Sequence, residues 1–210
     1  MSDFTSENAI FLHIPKCAGM SMELFCIQNR VKIAPLNRSQ QWCDAVNGDR
    51  HPKTGWSVPA QTYGVWNEEI VSGSYFTFVF VGNPWDRMVS AWKSTNVSRQ
   101  YFDKSFSEFL KFIFSDEPNQ LRASHVRSYF HPSYMIFDQN DQQIVHFIGR
   151  FEQLQEDFDL VCSEIEVQTS NLLHLNRTDR AHYSQYYNGE TKRMIENQFK
   201  KDIEYFEYCF

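Results

Sequence analysis

Apolar residues gather into short continuous runs in the first half of the chain and into helical stripes further on. The run Ala9–Ile14, interrupted only by His13, is stopped by Pro15, passes through Ala18 and Gly19, and gives way to a helical pattern over Met20–Asn29. That order predicts a buried strand, a tight loop and a helix N-terminus. Tyr75–Val81, Tyr-Phe-Thr-Phe-Val-Phe-Val, is nearly continuous rather than alternating, which predicts a central strand covered on both faces. It ends at Gly82-Asn83-Pro84. A helix is expected from about Trp85–Asp86 to about Thr95, with Asp86 in the first turn complementing the helix dipole. Phe106, Phe109, Leu110 and Ile113 form the buried stripe of a helix over Ser105–Phe114. Ile144–Ile148 reads as a short strand, followed by a helix near Phe151–Ile165 with Leu154, Phe158, Val161 and Ile165 on one side. Glu190–Tyr208 reads as one helix carrying Met194, Ile195, Phe199, Ile203 and Phe206. Ala34–Gly64 shows little periodicity and carries Pro35, Pro52 and Pro59, so it reads as irregular structure with short helical pieces.

Strands alternating with helices predict an α/β domain with a mainly parallel sheet. No linker or repeat divides the chain, so residues 1–210 read as a single domain. In such sheets ligands sit outside the carboxyl ends of the strands, and the loops after both strong strands lie at that edge.

Composition changes this picture little. With 19 Phe, 10 Tyr and 5 Trp, a large core is available. The net charge of -6 argues against nucleic-acid binding through a basic surface, while leaving room for a small basic pocket. The five cysteines have no paired metal-ligand spacing, and with no signal-like or membrane-length segment the reading is a cytoplasmic protein with reduced thiols and no membrane partner. On that reading the Asn-x-Ser/Thr triplets at Asn37, Asn96 and Asn176 carry no meaning.

The chemistry concentrates at the first loop. A strand-to-helix junction gathers backbone N–H groups and the positive end of the helix dipole, which suits an anion. Lys16 sits inside the turn, Gly19 allows close backbone approach, and Ser21 adds a hydroxyl at the start of the helix. The Gly82-Asn83-Pro84 corner offers a second anion-facing helix end.

These residues resemble a known family. His13-Ile14-Pro15-Lys16-Cys17-Ala18-Gly19-Met20-Ser21 is similar to the 5′-phosphosulfate loop of the sulfotransferases, especially the carbohydrate O-sulfotransferase group (sulfotransferase family 2). Val81-Gly82-Asn83-Pro84-Trp85-Asp86-Arg87-Met88-Val89-Ser90-Ala91-Trp92 resembles its 3′-phosphate segment. Phe147–Glu152 and His174–Arg177, with the tyrosines through Tyr187, resemble later segments in order. The resemblance implies a P-loop-like three-layer fold, with a mainly parallel central sheet flanked by helices. It also implies 3′-phosphoadenosine 5′-phosphosulfate (PAPS) as cosubstrate, adenosine 3′,5′-bisphosphate as product, no metal, and a hydroxyl of a carbohydrate or other small molecule as acceptor. Lys16 is then the catalytic cation, and Pro15, Lys16, Cys17, Ala18, Gly19, Met20, Ser21, Gly82, Ser90, Arg87 and Arg177 are the expected nucleotide-site residues.

The family usually carries Arg where this chain has Gly82. Arg87, Arg177 and Arg180 are the candidate replacements. The alternatives are a nucleotide lacking the 3′-phosphate and a non-catalytic nucleotide-binding protein. His51 stands first as the base that takes the acceptor proton, with His125, His131 and Glu23 as rivals. His13 is expected to be structural. Cys17, at a helix N-terminus beside Lys16, has the setting of a lowered pKa, yet the family carries Thr or Cys there without covalent chemistry. Trp42, Trp56, Tyr63 and Trp66 can stack on an acceptor ring or simply pack. A P-loop kinase is disfavoured because Gly-x-x-x-x-Gly-Lys-Ser/Thr is absent and Lys16 precedes the glycine.

Overall fold

Strands made of residues that tolerate water on neither face have to be covered on both, and two such strands form the centre of the molecule. In a computed structural model, residues 4–34, 75–93, 105–114, 131–137, 141–172 and 180–210 are described. Strand β1 is Ala9–Leu12 and β3 is Phe76–Val81, and every residue of both is buried. They pair in parallel, Ala9 opposite Phe76 and Leu12 opposite Val79. On the outer side of β1 lies β2, Lys32–Ala34, and on the outer side of β3 lies β4, Phe147–Arg150, both parallel to their neighbours. The resulting order is β2-β1-β3-β4.

Because the chain leaves β1 towards β2 and later returns to the other side of β1 as β3, the topological switch point falls between β1 and β3. Ligand crevices open there, at the carboxyl ends of the strands. The two loops singled out in the sequence follow these two strands.

Helix α1, Gly19–Asn29, runs from β1 back towards β2, and α2, Pro84–Lys93, follows β3. Helix α3, Phe106–Ile113, starts from a capping box in which the Ser105 hydroxyl and the Glu108 backbone N–H pair while Glu108 reaches back to the Ser105 N–H. Its stripe of Phe106, Phe109, Leu110 and Ile113 is buried as expected. A short α4, Ser133–Ile136, precedes β4, and α5, Leu154–Glu164, follows it through a 3-10 turn, Phe151–Gln153. A second 3-10 turn, Tyr183–Tyr186, leads to α6, Gly189–Gln198, and α7, Lys200–Tyr205. Phe25 of α1 meets Phe158 of α5 edge to face at 4.8 Å. Trp92 of α2 meets Phe106 at 5.5 Å and Tyr186 at 5.7 Å. These groups of helices flank the sheet, giving the P-loop-like α/β fold.

Two elements differ from the sequence reading, and one strand was not expected. The strand expected at Ile144–Ile148 is displaced to Phe147–Arg150, because Ile144 donates its N–H to the Ile136 carbonyl and only from His146 onward does the chain pair with β3. Gly149 is required inside that strand: a Cβ there would lie 2.4 Å from the Phe80 ring. The single helix expected over Glu190–Tyr208 is two, broken at Phe199. That residue is fully buried against the rings of His131 (4.8 Å) and Phe114 (6.2 Å), while Asp202 beyond the break accepts from the Ser133 N–H at 2.8 Å. Strand β2 is too short to leave a periodic signal.

Candidate functional site

The first corner is a strained turn. Cys17 donates its N–H to the Ile14 carbonyl at 3.3 Å, closing a turn with Pro15 second and Lys16 third. Pro15 fixes its own φ, and Lys16 lies at φ 68, the pattern of a type II turn whose third position ordinarily belongs to glycine. Ala18 is also left-handed, at φ 57, while Cys17 between them is not. Pro15 has no N–H and the Cys17 N–H closes the turn, so the backbone donors of this corner are those of the first turn of α1. Ala18 is the N-cap of α1 and supplies no side-chain acceptor, so the dipole of α1 opens directly onto the loop. Ser21 is buried in the first turn, and Met20 points outward at 52% exposure.

His13 shapes this loop. Its Nδ1–H donates to Glu23 Oε1 at 2.8 Å, and its Nε2 lies 1.8 Å from where a Cβ of Gly19 would sit. The space left by glycine is therefore filled by an imidazole that Glu23 on α1 holds in place. His13 is structural, as expected, and Glu23 is committed to it.

The second corner is built on a different plan. Asn83 caps α2, its Oδ1 accepting from Trp85 N–H at 3.0 Å and Asp86 N–H at 3.3 Å. Pro84, at the first helical position, has no N–H to offer. The Asn83 N–H donates to Glu152 Oε1 at 2.8 Å, and Arg87 N–H donates to the Asn83 carbonyl at 2.9 Å. The expectation of a second anion-facing helix end is thus corrected: the backbone donors of this corner are already used within the protein.

The corners touch each other. A Cβ on Gly82 would lie 3.3 Å from Cys17 Sγ and 3.2 Å from Phe151 Cβ. Cys17 is therefore packing between the loops, and burial pushes its thiol up to about 12, against the opposing pull of Arg87. The lowering suggested by the helix N-terminus and Lys16 is overturned by desolvation. Burial, with a second contribution from Arg180, pushes the Lys16 ammonium below its ordinary value.

Two arginines lie nearby in different settings. Arg87 is buried in the core, with its guanidinium 5.9 Å from the centre of the Phe199 ring. Arg180 grips Asp86 of α2 through two parallel bonds, 2.7 Å and 2.8 Å. Ser90, half-buried, follows Asp86 by one helical turn. His131, a rival base, is occupied instead in the helical core, its Nδ1 3.1 Å from Asp202 Oδ2. His51, His125 and Arg177 lie outside the described residues, as do Trp42, Trp56, Tyr63 and Trp66. Sequence reasoning missed the Asp86–Arg180 pair and the Asn83 cap; Pro at the first helical position after Asn was a legible sign of the cap, whereas nothing local pointed to a partner 94 residues away. Among the described residues no group of three or more His, Cys, Asp or Glu side chains is placed to hold a metal ion, and no helix is long and apolar enough to cross a membrane.

A strained lysine turn opening onto an uncapped helix, beside a second strand-to-helix corner at the switch point of a parallel sheet, defines an α/β protein of the P-loop-like class. The chain belongs to the sulfotransferase family, whose family model matches residues 4–209. No curated protein and no solved structure gives a significant match.

Proposed function

We propose that this protein transfers a sulfuryl group from PAPS to a hydroxyl of a carbohydrate or other small-molecule acceptor. Family membership supports sulfuryl transfer in general. The observation that carries the reading is Lys16: a desolvated ammonium in a left-handed turn at the open end of α1. Backbone strain of this sort persists where surrounding structure enforces it, and it concentrates at functional sites.

In the proposed reaction the acceptor oxygen attacks sulfur in line with the bond to the 5′-phosphate. A new S–O bond forms as the bridging S–O bond breaks, and the electron pair of that bond stays on the phosphate oxygen of adenosine 3′,5′-bisphosphate. Lys16 and the N–H groups at the start of α1 balance the charge growing on that oxygen. The acceptor proton passes to a base, for which His51 is our assignment. Ser90 serves the 3′-phosphate, with Arg177 a further candidate. A cytoplasmic location fits the free thiols of Cys17, Cys26, Cys162 and Cys209.

The test is transfer itself. Purified protein is incubated with PAPS labelled in its sulfuryl group and with a panel of sugar and aromatic alcohols, while calorimetry measures adenosine 3′,5′-bisphosphate. Acceptor-dependent label transfer supports the proposal, and His51→Ala is expected to reduce it. Nucleotide binding with no transfer to any acceptor supports a non-catalytic nucleotide-binding protein, the reading favoured by glycine at position 82. Absence of both overturns the assignment of donor.

A further inference from the structure

We infer that His13 and Glu23 form a clasp that positions Lys16 on the breaking S–O bond, so that Glu23 serves the transfer as a positioning residue and not as a base. This rests on the reaction proposed above.

The loop between β1 and α1 is costly to hold. It carries two L-residues in the left-handed region, Lys16 at φ 68 and Ala18 at φ 57. Its turn is closed by the bond from the Cys17 N–H to the Ile14 carbonyl, which at 3.3 Å is longer than such bonds usually are. A backbone of this kind persists only where its surroundings enforce it.

The enforcement comes from the two ends of the loop. His13 follows β1 directly, and its ring stacks on the buried Phe11 ring with centroids 5.9 Å apart and planes at 20°. The same ring lies against Gly19, the first residue of α1, with three of its atoms 1.8–2.4 Å from where a Gly19 Cβ would be. Its Nδ1–H donates to Glu23 Oε1 at 2.8 Å. Gly19 and Glu23 are four residues apart and so share one face of α1. A single side chain at the end of the strand therefore holds the helix at its first residue and again one turn on. Residues Ile14–Ala18 span the two fastened points, and Lys16 stands at their middle.

The consequence falls on turnover more than on binding. The N–H groups at the start of α1 belong to the helix, and they meet a phosphate even when the loop ahead of them shifts. Lys16 is different, because only a narrow set of positions brings its ammonium onto the oxygen that gains charge in the transition state. The geometry also separates Glu23 from the role of base, since its Oε1 is bonded to a ring packed against Gly19.

The experiment measures label transfer from PAPS to the best acceptor of the panel and, by calorimetry, the affinity for adenosine 3′,5′-bisphosphate, on the full chain. Glu23→Ala should lower kcat by about ten- to a hundredfold, the scale of a catalytic group displaced by about 1 Å, and change the bisphosphate affinity by less than about threefold. Glu23→Gln keeps an oxygen to accept from the imidazole but cannot take up a proton, and its kcat should stay within severalfold of wild type. In the Lys16→Met background the loss caused by Glu23→Ala should disappear, because the clasp acts through that ammonium. Glu23→Asp withdraws the carboxylate by one methylene and serves the same comparisons where the alanine variant fails to fold. Unchanged kcat, equal losses with and without the Lys16 ammonium, or an affinity loss as large as the loss of turnover overturns the clasp. A glutamine variant as slow as the alanine variant makes Glu23 a proton acceptor and overturns it too. Absence of transfer from PAPS by the wild-type protein overturns the reaction reading instead, and the clasp with it.

Discussion

Lys16 combines two features that oppose folding: a left-handed backbone and a desolvated charge. Exchange for another L-residue keeps the first and removes the second, so Lys16→Met separates function from stability. Turnover should fall by about 10²–10³-fold, the scale seen on removing a charge-stabilising donor from a transition state, and the thermal midpoint at pH 7 should not fall. The sign follows from linkage. Burial, with a second contribution from Arg180, places the folded-state value of Lys16 below its ordinary value of 10.5. Below that lowered value both states are charged, and only the folded state bears the desolvation penalty. The penalty fades as pH rises through the interval between the lowered value and 10.5, so the stability of wild type should rise there relative to Lys16→Met. Near-normal turnover, or a lower midpoint in the variant, would contradict this role. Cys17 makes the complementary case. Its neighbours suggested activation, yet it is buried and its thiol is pushed up to about 12. Brief alkylation at pH 8 followed by peptide mapping should label the exposed Cys209 and spare Cys17.

At the scale of elements, the two strand-to-helix corners look alike in sequence and differ in construction. The first has no side-chain cap and is braced from one side by His13, whose ring occupies the place of a Gly19 Cβ. Gly19→Ala should expel that ring and cost about 1–3 kcal/mol through overpacking. In Gly19→Ala/His13→Ala the new methyl enters space the ring has left, so urea denaturation should show the double variant more stable than the sum of the single losses, by at least about 0.5 kcal/mol. Strict additivity would mean that the ring and the glycine do not share the site. This contrast also marks the limit of what was legible in the chain. Strands β1 and β3 announced themselves because burial on both faces demands unbroken apolar runs, and α3 did so through its stripe. Strand β4 was placed three residues early because Gly149 and Arg150 end the apolar run, and the break at Phe199 arises from tertiary packing against His131 and Phe114. Lys16 was visible because its setting is local: proline before it, a strand behind it, a helix ahead. The committed donors of the second corner were not, because Glu152 lies 69 residues from Asn83.

Across the whole molecule, the second corner is fastened by the far end of the chain. The Asn83 side chain donates from Nδ2 to the Cys209 carbonyl at 3.0 Å, across 126 residues, while its Oδ1 caps α2. Tyr208 donates its hydroxyl to Glu152 Oε2 at 3.2 Å, on the same carboxylate that receives the Asn83 N–H. Phe210 packs against Trp85 at 5.6 Å and Tyr187 at 5.5 Å, and the Tyr187 hydroxyl donates to the Trp85 carbonyl at 2.8 Å. Asn83 is thus both a local cap and a long-range tie, and the two roles require different atoms. Asn83→Ala removes both and should lower stability by about 2 kcal/mol, combining a lost cap with a lost buried hydrogen bond. Asn83→Asp retains oxygens to cap α2 but cannot donate to Cys209, and it sets a second carboxylate beside Glu152. If the tie matters to the fold, the aspartate variant should lose most of what the alanine variant loses, with an unchanged denaturant slope. If Asn83 is only a cap, the aspartate variant should match or exceed the wild type, since a carboxylate favours a helix N-terminus. Guanidinium denaturation of the three proteins at pH 7 decides between these outcomes.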